Sequence, residues 1–568
     1  MWRARRYSIT NQQLPLSRLR FLLRTLAGAL KFEQRAAIMI LPLTPVRLKR
    51  HAARIFGRKD GVVCGQLRLT YREFNERCDR LSDALRRLGL KSGDRVAYLS
   101  FNCHRLLEGY FGVPQIGAVL LPLNIRLGSE ELAYILNDAT PRLLFFDPEF
   151  NPLVEALRPN LHPVEYLIAL HGTRPAWAYP KLYDEILAKA EPQEIDYRGI
   201  DENSVAELFY TSGTTAYPKG VMLTHRNLYL HAFYRGQSEQ GNDSMVGLYT
   251  IPLFHVNSWG SPHLLTLRGG RHVILKKFDP LEALKLIQAE RVTQLQMVPT
   301  MVRGLINHPD FSQYDLSSVT QMLIGGAPAS VSLAREVEEK MPRCVVIGGY
   351  GLTETSPVIS HAHLKDHLLS ESGEDQLRRK ATAGFALAGT EIRVVDVHGK
   401  DVQPNGEEVG EVVVRGDVVM EGYWNQPEAT AEAVRDGWLH TGDLATIDQE
   451  GYVLIVDRTK DMIVTGGENI ASAEVERVLY AHPAVLECAV IAVPDCKWGE
   501  VSKALITPKP GHQATPAEIL SHCREHLAKF KVPRSVEFVE SLPKGGTGKI
   551  LKKVLREKYW AGQTRRVQ

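Results

Sequence analysis

The chain has 568 residues, which is too long for one ordinary domain and predicts two or more. Hydrophobic residues make up 44% and charged residues 24% of the sequence, which is typical of globular proteins and argues against a disordered, collagen-like or coiled-coil chain. The formal net charge is +4, but residues 1–38 alone carry +7, so the rest of the chain carries −3. Because the body of the chain is not basic, nucleic acid is excluded as an expected partner.

The first 38 residues form a basic extension in which Arg24 interrupts the apolar run, so a secretory signal is not predicted. We expect the native chain to begin at Met39, with a transit-like leader or a basic amphipathic surface helix as the alternatives. No segment approaches the ~20 apolar residues of a membrane-spanning helix. Membrane association is therefore expected to be peripheral at most.

Seven scattered cysteines without a CxxC pair argue against a disulfide framework or a zinc site. Free thiols are typical of a reducing compartment, so we expect a cytoplasmic location. The sequence leaves the oligomeric state open, and an oligomer is compatible with it.

Short apolar runs alternate with amphipathic stretches through the first 390 residues. The apolar runs predict strands at residues 95–101, 118–123, 141–147, 272–277 and 344–350. Amphipathic patterns predict helices at residues 71–90 and 280–292. This rhythm is typical of α/β layers in which helices cover the sheets.

From residue 390 the pattern changes to period-2 strands around glycine turns, which predicts a smaller β subdomain. After Asp457 helical and strand patterns predict a compact α+β unit. We therefore predict a large N-terminal domain over residues 39–457, a hinge at 458–461 and a small, mobile C-terminal domain over 462–568.

The strongest local signal is the segment Thr211–Gly220, TSGTTAYPKG, which follows the apolar strand VAELFY. Glycine and small hydroxyl residues let backbone N–H groups and hydroxyls converge on phosphate oxygens, and Lys219 adds a positive charge. A Walker A loop needs Gly before Lys and Ser or Thr after it, whereas Pro218 and Gly220 occupy those places. The segment therefore predicts a phosphate-binding loop outside the P-loop class.

Five further segments complete the pattern in chain order: Tyr350–Glu354 (YGLTE), His440–Leu444 (HTGDL), Asp457–Asp461 (DRTKD), Gly466–Ile470 (GGENI) and Leu542–Ile550 (LPKGGTGKI). With the loop, they resemble the adenylate-forming superfamily of acyl-CoA synthetases, aryl-CoA ligases, firefly luciferase and peptide-synthetase adenylation domains. The resemblance implies a large AMP-binding domain followed by a small mobile domain. It also implies an ATP-dependent acid–CoA ligase that makes an acyl-adenylate and then an acyl-CoA thioester, with AMP and pyrophosphate as products.

The resemblance also implies which residues bind the nucleotide, with the backbone around Gly325–Pro328 and Tyr350 flanking adenine. They are Thr211, Ser212, Gly213, Thr214, Thr215, Lys219, Gly326, Ala327, Tyr350, Gly351, Thr353, Asp443, Arg458 and Lys549. Asp443 would accept from the ribose hydroxyls, and Glu354 would offer a hard oxygen ligand to ATP-bound Mg²⁺. Thr353 would donate to the α-phosphate, and Lys549 would bridge that phosphate and the substrate carboxylate.

Two residues depart from the family pattern: Ala216 stands where glycine is usual, and its Cβ restricts φ, while His440 is a milder departure at a position where Arg or Lys is frequent. We expect an altered ATP affinity at most. For the thioester step the resemblance implies rotation about a hinge at Lys460, with Gly466 and Gly467 lining the tunnel for coenzyme A.

The segment Pro252–Gly260, PLFHVNSWG, resembles the part of the family that lines or gates the acyl pocket. His255 and Trp259 are expected to border the tunnel mouth, with a packed core aromatic as the alternative for Trp259. His255 joins Lys549, Thr353 and Glu354 in the expected catalytic set. Few charges occur nearby, so the small-molecule acid is predicted to be a medium- or long-chain fatty acid.

Other functions were weighed against the same residues. An aryl- or other carboxylate–CoA ligase, and a fatty-acyl-AMP ligase that loads a carrier protein, remain open as alternatives. An amino-acid adenylation domain is disfavoured because LFHVNSWGSPHLL lacks an acid to hold an ammonium group. A non-catalytic relative that binds acyl ligands is disfavoured by the retained Lys549, Glu354 and Asp443.

Overall fold

The structure of the chain is a computed structural model. It describes residues 40–161, 164–193, 195–211, 218–239, 241–327, 329–459, 461–465, 468–495, 497–512, 514–545 and 549–561. The basic extension at residues 1–38 lies outside these ranges, and its predicted nature stays a prediction.

A nine-stranded sheet forms one layer of the N-terminal part. In spatial order its strands are Phe385–Ala386, Val358–His361, Val345–Gly351, Gln321–Ile324, Gln294–Met297, Val246–Leu248, Arg271–Ile274, Asp60–Cys64 and Leu67–Thr70. The strands from Val345–Gly351 to Asp60–Cys64 pair in parallel, and the outer strands pair antiparallel.

A seven-stranded sheet forms the second layer. In spatial order its strands are Gly422–Tyr423, Lys219–Thr224, Val205–Thr211, Val119–Pro122, Arg95–Leu99, Leu143–Phe146 and Tyr166–Ala169. Its central strands are parallel and largely apolar, and Val119–Pro122 and Leu143–Phe146 are buried at every position. Strands covered on both faces need such continuous apolar runs rather than alternation.

Helices cover these two sheets and connect their strands. They are Pro45–Ile55, Tyr71–Arg87, His104–Gly112, Ser129–Ala139, Asn151–Leu157, Tyr183–Ala188, His225–Ser238, Val256–Arg268, Pro280–Glu290, Pro299–Ile306, Val331–Lys340, Gly373–Lys380 and Pro427–Ala433. Capping signals in the sequence explain several starts. Thr70 accepts from the Glu73 N–H while the Glu73 carboxylate accepts from the Thr70 N–H at 2.8 Å.

A five-stranded antiparallel sheet follows, as the period-2 pattern predicts. It consists of Thr390–Val395, Gly410–Gly416, Trp438–Ile447, Val434–Arg435 and Val453–Arg458. The strands Trp438–Ile447 and Val453–Arg458 pair so that Asp443 lies opposite Arg458. This register brings two residues of separate motifs side by side.

The C-terminal part has its own sheet and its own core. Its strands are Glu468–Ile470, Ile463–Thr465, Gly499–Pro508, Val485–Asp495 and Ser535–Phe538, and its helices are Ser472–Ala481, Pro516–His526 and Lys552–Trp560. A separate cluster that includes Ile463, Val490 and Ile506 fills its interior. The prediction of mixed α/β architecture with a small α+β C-terminal unit is confirmed, while the exact boundaries of domains and hinge stay predictions.

Contacts between the two parts are polar or aromatic. Arg126 donates from Nη1 to the Gly545 carbonyl at 2.9 Å, and the Arg303 guanidinium lies 5.2 Å from the centre of the Tyr480 ring. The described residues include no helix of the length and apolarity that crossing a membrane requires.

Candidate active site

Tyr350, Asp443 and Arg458 form a cluster around the buried Asp443 carboxylate, which we call the ribose cluster after its predicted role. The Tyr350 hydroxyl donates to Asp443 Oδ2 at 2.7 Å, and Arg458 Nε lies 3.1 Å from Asp443 Oδ1. The Asp443 side chain is almost fully covered, and burial raises the pKa of Tyr350 well above its usual value, so the tyrosine stays a donor. Each carboxylate oxygen keeps a further lone pair for a ribose hydroxyl.

The phosphate-binding loop starts and ends on paired strands. Thr211, the last residue of its strand, lies opposite Lys219, the first residue of the next. The predicted phosphate ligands Ser212, Gly213, Thr214 and Thr215 between them fall outside the described residues, so their contacts stay predictions.

Lys219 and Glu354 lie on opposite sides of one tyrosine. The Lys219 ammonium is 4.9 Å from the centre of the Tyr423 ring, and the Tyr423 hydroxyl donates to Glu354 Oε1 at 3.0 Å. Burial raises the pKa of Glu354. Thr353, beside it in the short helix Thr353–Thr355, is buried.

Among the described residues no cluster of three or more His, Cys, Asp or Glu side chains offers a complete metal site. Glu354 fits the role predicted for it, because Mg²⁺ in nucleotide enzymes takes one or two carboxylates and completes its shell with phosphates and water. Bound there with ATP, Mg²⁺ would neutralise phosphate charge.

The segment predicted to flank adenine is shaped by close packing. A Cβ on Gly325 would lie 2.9 Å from the Gly349 carbonyl oxygen, and Gly326 has φ +72° with the Trp259 ring 3.4 Å from the position of its missing Cβ. A Cβ on Gly351 would overlap the Pro357 carbonyl oxygen at 1.8 Å. Glycine is therefore required at these positions, and Ala327 follows directly in the same segment.

His255 and Lys549 are brought together from distant parts of the chain. Burial and then the positive charge of Lys549 lower the pKa of His255 to about 4, so the imidazole is neutral at pH 7. The Gly545 N–H donates to the Lys549 carbonyl at 2.7 Å. The structure thus places the predicted catalytic lysine next to the predicted acyl segment.

A left-handed turn follows His255, and the sequence analysis did not foresee it. Five consecutive residues have positive φ: Val256 (+31°), Asn257 (+44°), Ser258 (+46°), Trp259 (+55°) and Gly260 (+84°). This conformation costs an L-residue about 1–2 kcal/mol, and β-branched valine tolerates it poorly. We call Val256–Gly260 the left-handed turn; surrounding contacts must hold it.

The left-handed turn places Trp259 against the predicted adenine segment. The Trp259 ring is 6% exposed and packs over Gly325 and Gly326. It belongs to the same apolar cluster as Val298 and Met301. Trp259 is therefore a packed core aromatic, the alternative that the sequence left open, and it contacts the segment of the predicted nucleotide ligand Gly326.

A buried polar group beside the left-handed turn was also missed. Asn257 donates from Nδ2 to Glu207 Oε2 at 2.8 Å, and His263 Nε2 lies 3.3 Å from Glu207 Oε1. All three side chains are fully buried, and burial raises the pKa of Glu207 to about 8. Glu207 within the apolar run VAELFY was the sequence signal for a buried acid. Its hydrogen-bond partner, Asn257, lies 50 residues away and could not be identified from the sequence.

Three predicted residues of the thioester step fall outside the described residues. They are Lys460, the predicted hinge, and Gly466 and Gly467, the predicted coenzyme A tunnel. Their roles stay predictions.

Comparison with known proteins identifies the family. The AMP-binding enzyme family matches residues 49–424, and the AMP-binding enzyme C-terminal domain matches residues 474–549. The chain is 40% identical to a long-chain-fatty-acid–CoA ligase of Thermus thermophilus over 89% of this chain and 94% of that protein. It is also 40% identical to a feruloyl-CoA synthase of an Amycolatopsis species, over 91% of this chain and 98% of that one.

The architecture agrees with this assignment. The crystal structure of the anthranilate CoA ligase AuaEII with anthranoyl-AMP is 27% identical, has a TM-score of 0.83, and covers 92% of this chain and 98% of its own. The ordered motifs, the assembled ribose cluster and these matches agree with one another. The chain belongs to the AMP-binding enzymes and is an acid–thiol ligase that uses ATP and coenzyme A and works through an acyl-adenylate.

Proposed function

We propose that the acid is a medium- or long-chain fatty acid and that the product is its coenzyme A thioester. The observation that carries this proposal is the apolar setting of Trp259, which packs over Gly325 and Gly326 near Val298, four residues after a neutral His255. An apolar chain gains free energy by leaving water in such a setting. The Thermus fatty-acid ligase among the relatives supports the same substrate class.

In the adenylation step we assign the charge-handling role to Lys549. A carboxylate oxygen of the acid attacks the α-phosphorus, the bond to the β-phosphate breaks, and pyrophosphate leaves. Negative charge builds between the carboxylate and the α-phosphate as they approach, and the ammonium group of Lys549 would stabilise it. A neutral His255 at this position adds no competing positive charge.

The other described residues fix the nucleotide. In our proposal the ribose cluster binds the sugar hydroxyls, Thr211 and Lys219 contact the phosphates, Thr353 donates to the α-phosphate, and Glu354 contributes the carboxylate for Mg²⁺. Gly326, Ala327 and Gly351 border the base. Catalysis is then positioning plus electrostatics, without a covalent enzyme intermediate.

In the thioester step the sulfur of coenzyme A attacks the acyl carbon, and AMP leaves with the bonding electron pair. We propose that the small domain turns about Lys460 between the two steps, so that Lys549 departs and Gly466 and Gly467 line the approach of the thiol. Glycine suits this place because it lets pantetheine approach the backbone.

An aryl acid is the second candidate, favoured by the feruloyl-CoA relative and by the aromatic ring of Trp259 in the predicted acyl segment. Transfer to a carrier protein is the alternative for the acceptor. We place the enzyme in the cytoplasm, which fits the free cysteines at positions 64, 78, 103, 344, 488 and 523. The same purified protein can be tested for association with a membrane surface and with a second copy.

The test is acid-dependent release of AMP from ATP, with and without coenzyme A, over acids from acetate to oleate plus benzoate, cinnamate, ferulate and several amino acids. We expect the highest kcat/KM with a fatty acid of eight or more carbons and a requirement for coenzyme A. A preference for ferulate or benzoate would overturn the fatty-acid assignment. Adenylate that coenzyme A does not discharge would move the acceptor to a carrier protein.

A further inference from the structure

The left-handed turn needs an anchor because four of its five residues are not glycine. Several contacts meet it. Ser258 Oγ donates to the Ile251 carbonyl at 2.9 Å, and Arg235 donates to the Trp259 carbonyl. From the second residue of the turn, Asn257 donates to the Glu207 carboxyl group.

Glu207 is placed to act on both substrates' sites at once. It belongs to the strand Val205–Thr211, whose last residue opens the phosphate-binding loop. Its partner Asn257 stands two residues after His255 and two before Trp259. The hydrogen bond therefore ties the acyl segment to the strand that carries the phosphate-binding loop.

We propose that Glu207 is a positioning residue of the acyl site: through its hydrogen bond to Asn257 it holds the left-handed turn, and the turn sets His255 beside Lys549 and Trp259 against Gly325 and Gly326. The role is that of a hydrogen-bond acceptor, not of a charge. Glu207 is fully buried between Asn257 and His263, and neither neighbour is a cation at neutral pH. The inference rests on the proposed acyl site at His255 and Trp259.

Substitutions at position 207 separate an acceptor from a charge. Glu207→Gln keeps an oxygen that accepts from Asn257 Nδ2, whereas Glu207→Leu removes it at similar volume. In the full-length enzyme we expect Glu207→Gln to stay within twofold of the parent in all constants. Glu207→Leu should raise KM for the best acid of the panel at least tenfold while KM for ATP changes less than threefold.

Glycine at position 257 should restore activity only if Glu207 acts by holding the left-handed turn. Because glycine adopts positive φ without a steric penalty, Glu207→Leu combined with Asn257→Gly should recover at least a third of the lost kcat/KM for the acid. Should Glu207→Leu fail to fold, Asn257→Gly and Asn257→Leu answer the same question, since both remove the donor but only glycine tolerates the turn. Asn257→Gly should then exceed Asn257→Leu at least fivefold in kcat/KM for the acid.

Three results would overturn the proposal. Equal losses in Glu207→Gln and Glu207→Leu would mean that charge matters rather than the acceptor. Equal rises in KM for acid and ATP, or an Asn257→Gly that rescues nothing and matches Asn257→Leu, would mean general damage to the core. The parallel variant Trp259→Ala distinguishes failure of the Glu207 proposal from failure of the proposed acyl site. If Trp259→Ala leaves kcat and KM for the acid unchanged, the proposed acyl site is wrong, whatever the Glu207 variants show.

Discussion

The ribose cluster and the segment that carries Lys549 are held in place in different ways. Asp443 is almost fully buried and engages Tyr350 of the nine-stranded sheet at 2.7 Å and Arg458 of its own five-stranded sheet at 3.1 Å. The lysine segment reaches the large domain through contacts such as the exposed hydrogen bond from Arg126 to the Gly545 carbonyl. The nucleotide side is preorganised, whereas the lysine side is attached by contacts that water can replace. This difference suits the proposed cycle, in which the small domain turns away after the first step.

Lys549→Ala should have the largest effect, and it tests most directly the difference between the ribose cluster and the segment that carries Lys549. Loss of the ammonium group should reduce adenylate formation by about 10²–10³-fold, the usual effect of removing one group that stabilises transition-state charge. Thioester formation from supplied acyl-AMP should stay within threefold. Pyrophosphate–ATP exchange and coenzyme A consumption measure the two steps separately.

Lys544→Ala is the matched control, because Lys544 lies in the same segment but pairs with Glu487 at 2.7 Å. It should leave both steps nearly unchanged. Equal slowing of both steps in Lys549→Ala would contradict the proposal that Lys549 acts in adenylation and not in thioester formation.

The next largest effect is expected on the nucleotide side. Asp443→Asn removes the charge that receives the ribose hydroxyls, and a hydrogen bond to a charged group contributes about 1.5–3 kcal/mol. KM for ATP should therefore rise about 10–100-fold, with KM for the acid within twofold. Steady-state kinetics with each substrate varied in turn gives both values.

Asp448→Asn serves as its control, since Asp448 pairs with Arg379 at 2.9 Å outside the ribose cluster. A rise in KM for the acid as large as that for ATP in Asp443→Asn would contradict the separation of the two binding regions.

The buried carboxyl beside the left-handed turn predicts a pH effect on stability. Burial raises the pKa of Glu207 from 4.5 to about 8, so between these values the folded protein holds a proton that the unfolded chain has lost. Stability must then fall as pH rises through this window, by at most about 1.4 kcal/mol per pH unit. Glu207→Gln has no proton that titrates in this window. The Tm of Glu207→Gln minus the Tm of the parent protein should therefore increase from pH 5 to pH 8.

Glu165→Gln is the control, because an exposed ion pair with Arg142 lowers the pKa of Glu165 and so leaves no titration of that group in the window. A Tm difference between Glu207→Gln and the parent that stays flat over pH 5–8 would show that Glu207 is ionised in the folded protein.

The smallest effect should come from the attachment of the lysine segment. Arg126→Ala removes one exposed hydrogen bond, worth about 1 kcal/mol, so adenylation should slow about fivefold. The exposed pair Arg198–Asp196 provides the control through Arg198→Ala, which should have no effect on rate. An unchanged adenylation rate in Arg126→Ala would show that other contacts seat the segment.

Much of the fold was accessible from sequence because its signals are local. Continuous apolar runs predicted the strands Arg95–Leu99 and Leu143–Phe146, and amphipathic spacing predicted the helix Tyr71–Arg87. Motif residues far apart in the chain, such as Tyr350 and Asp443, do meet in the structure.

The left-handed turn and its anchor were not accessible in the same way. Val256 at positive φ runs against the preference of a β-branched residue, so propensity predicts the wrong conformation there. The hydrogen bond that we propose compensates is accepted by Glu207, on a strand 50 residues earlier, and depends on tertiary packing. Local sequence predicts helices and strands, but it does not identify the distant side chain that stabilises an unfavourable backbone conformation.

The position of Arg458 has a consequence for the order of events. Arg458 is the last residue of the strand Val453–Arg458, touches Asp443, and stands two residues before the proposed pivot at Lys460. A sugar bound at Asp443 would therefore lie against Arg458, next to the proposed pivot of the small domain. In the proposed cycle we expect loss of AMP and return of the small domain to its starting orientation to be coupled, so that the enzyme resets only when the spent nucleotide has gone.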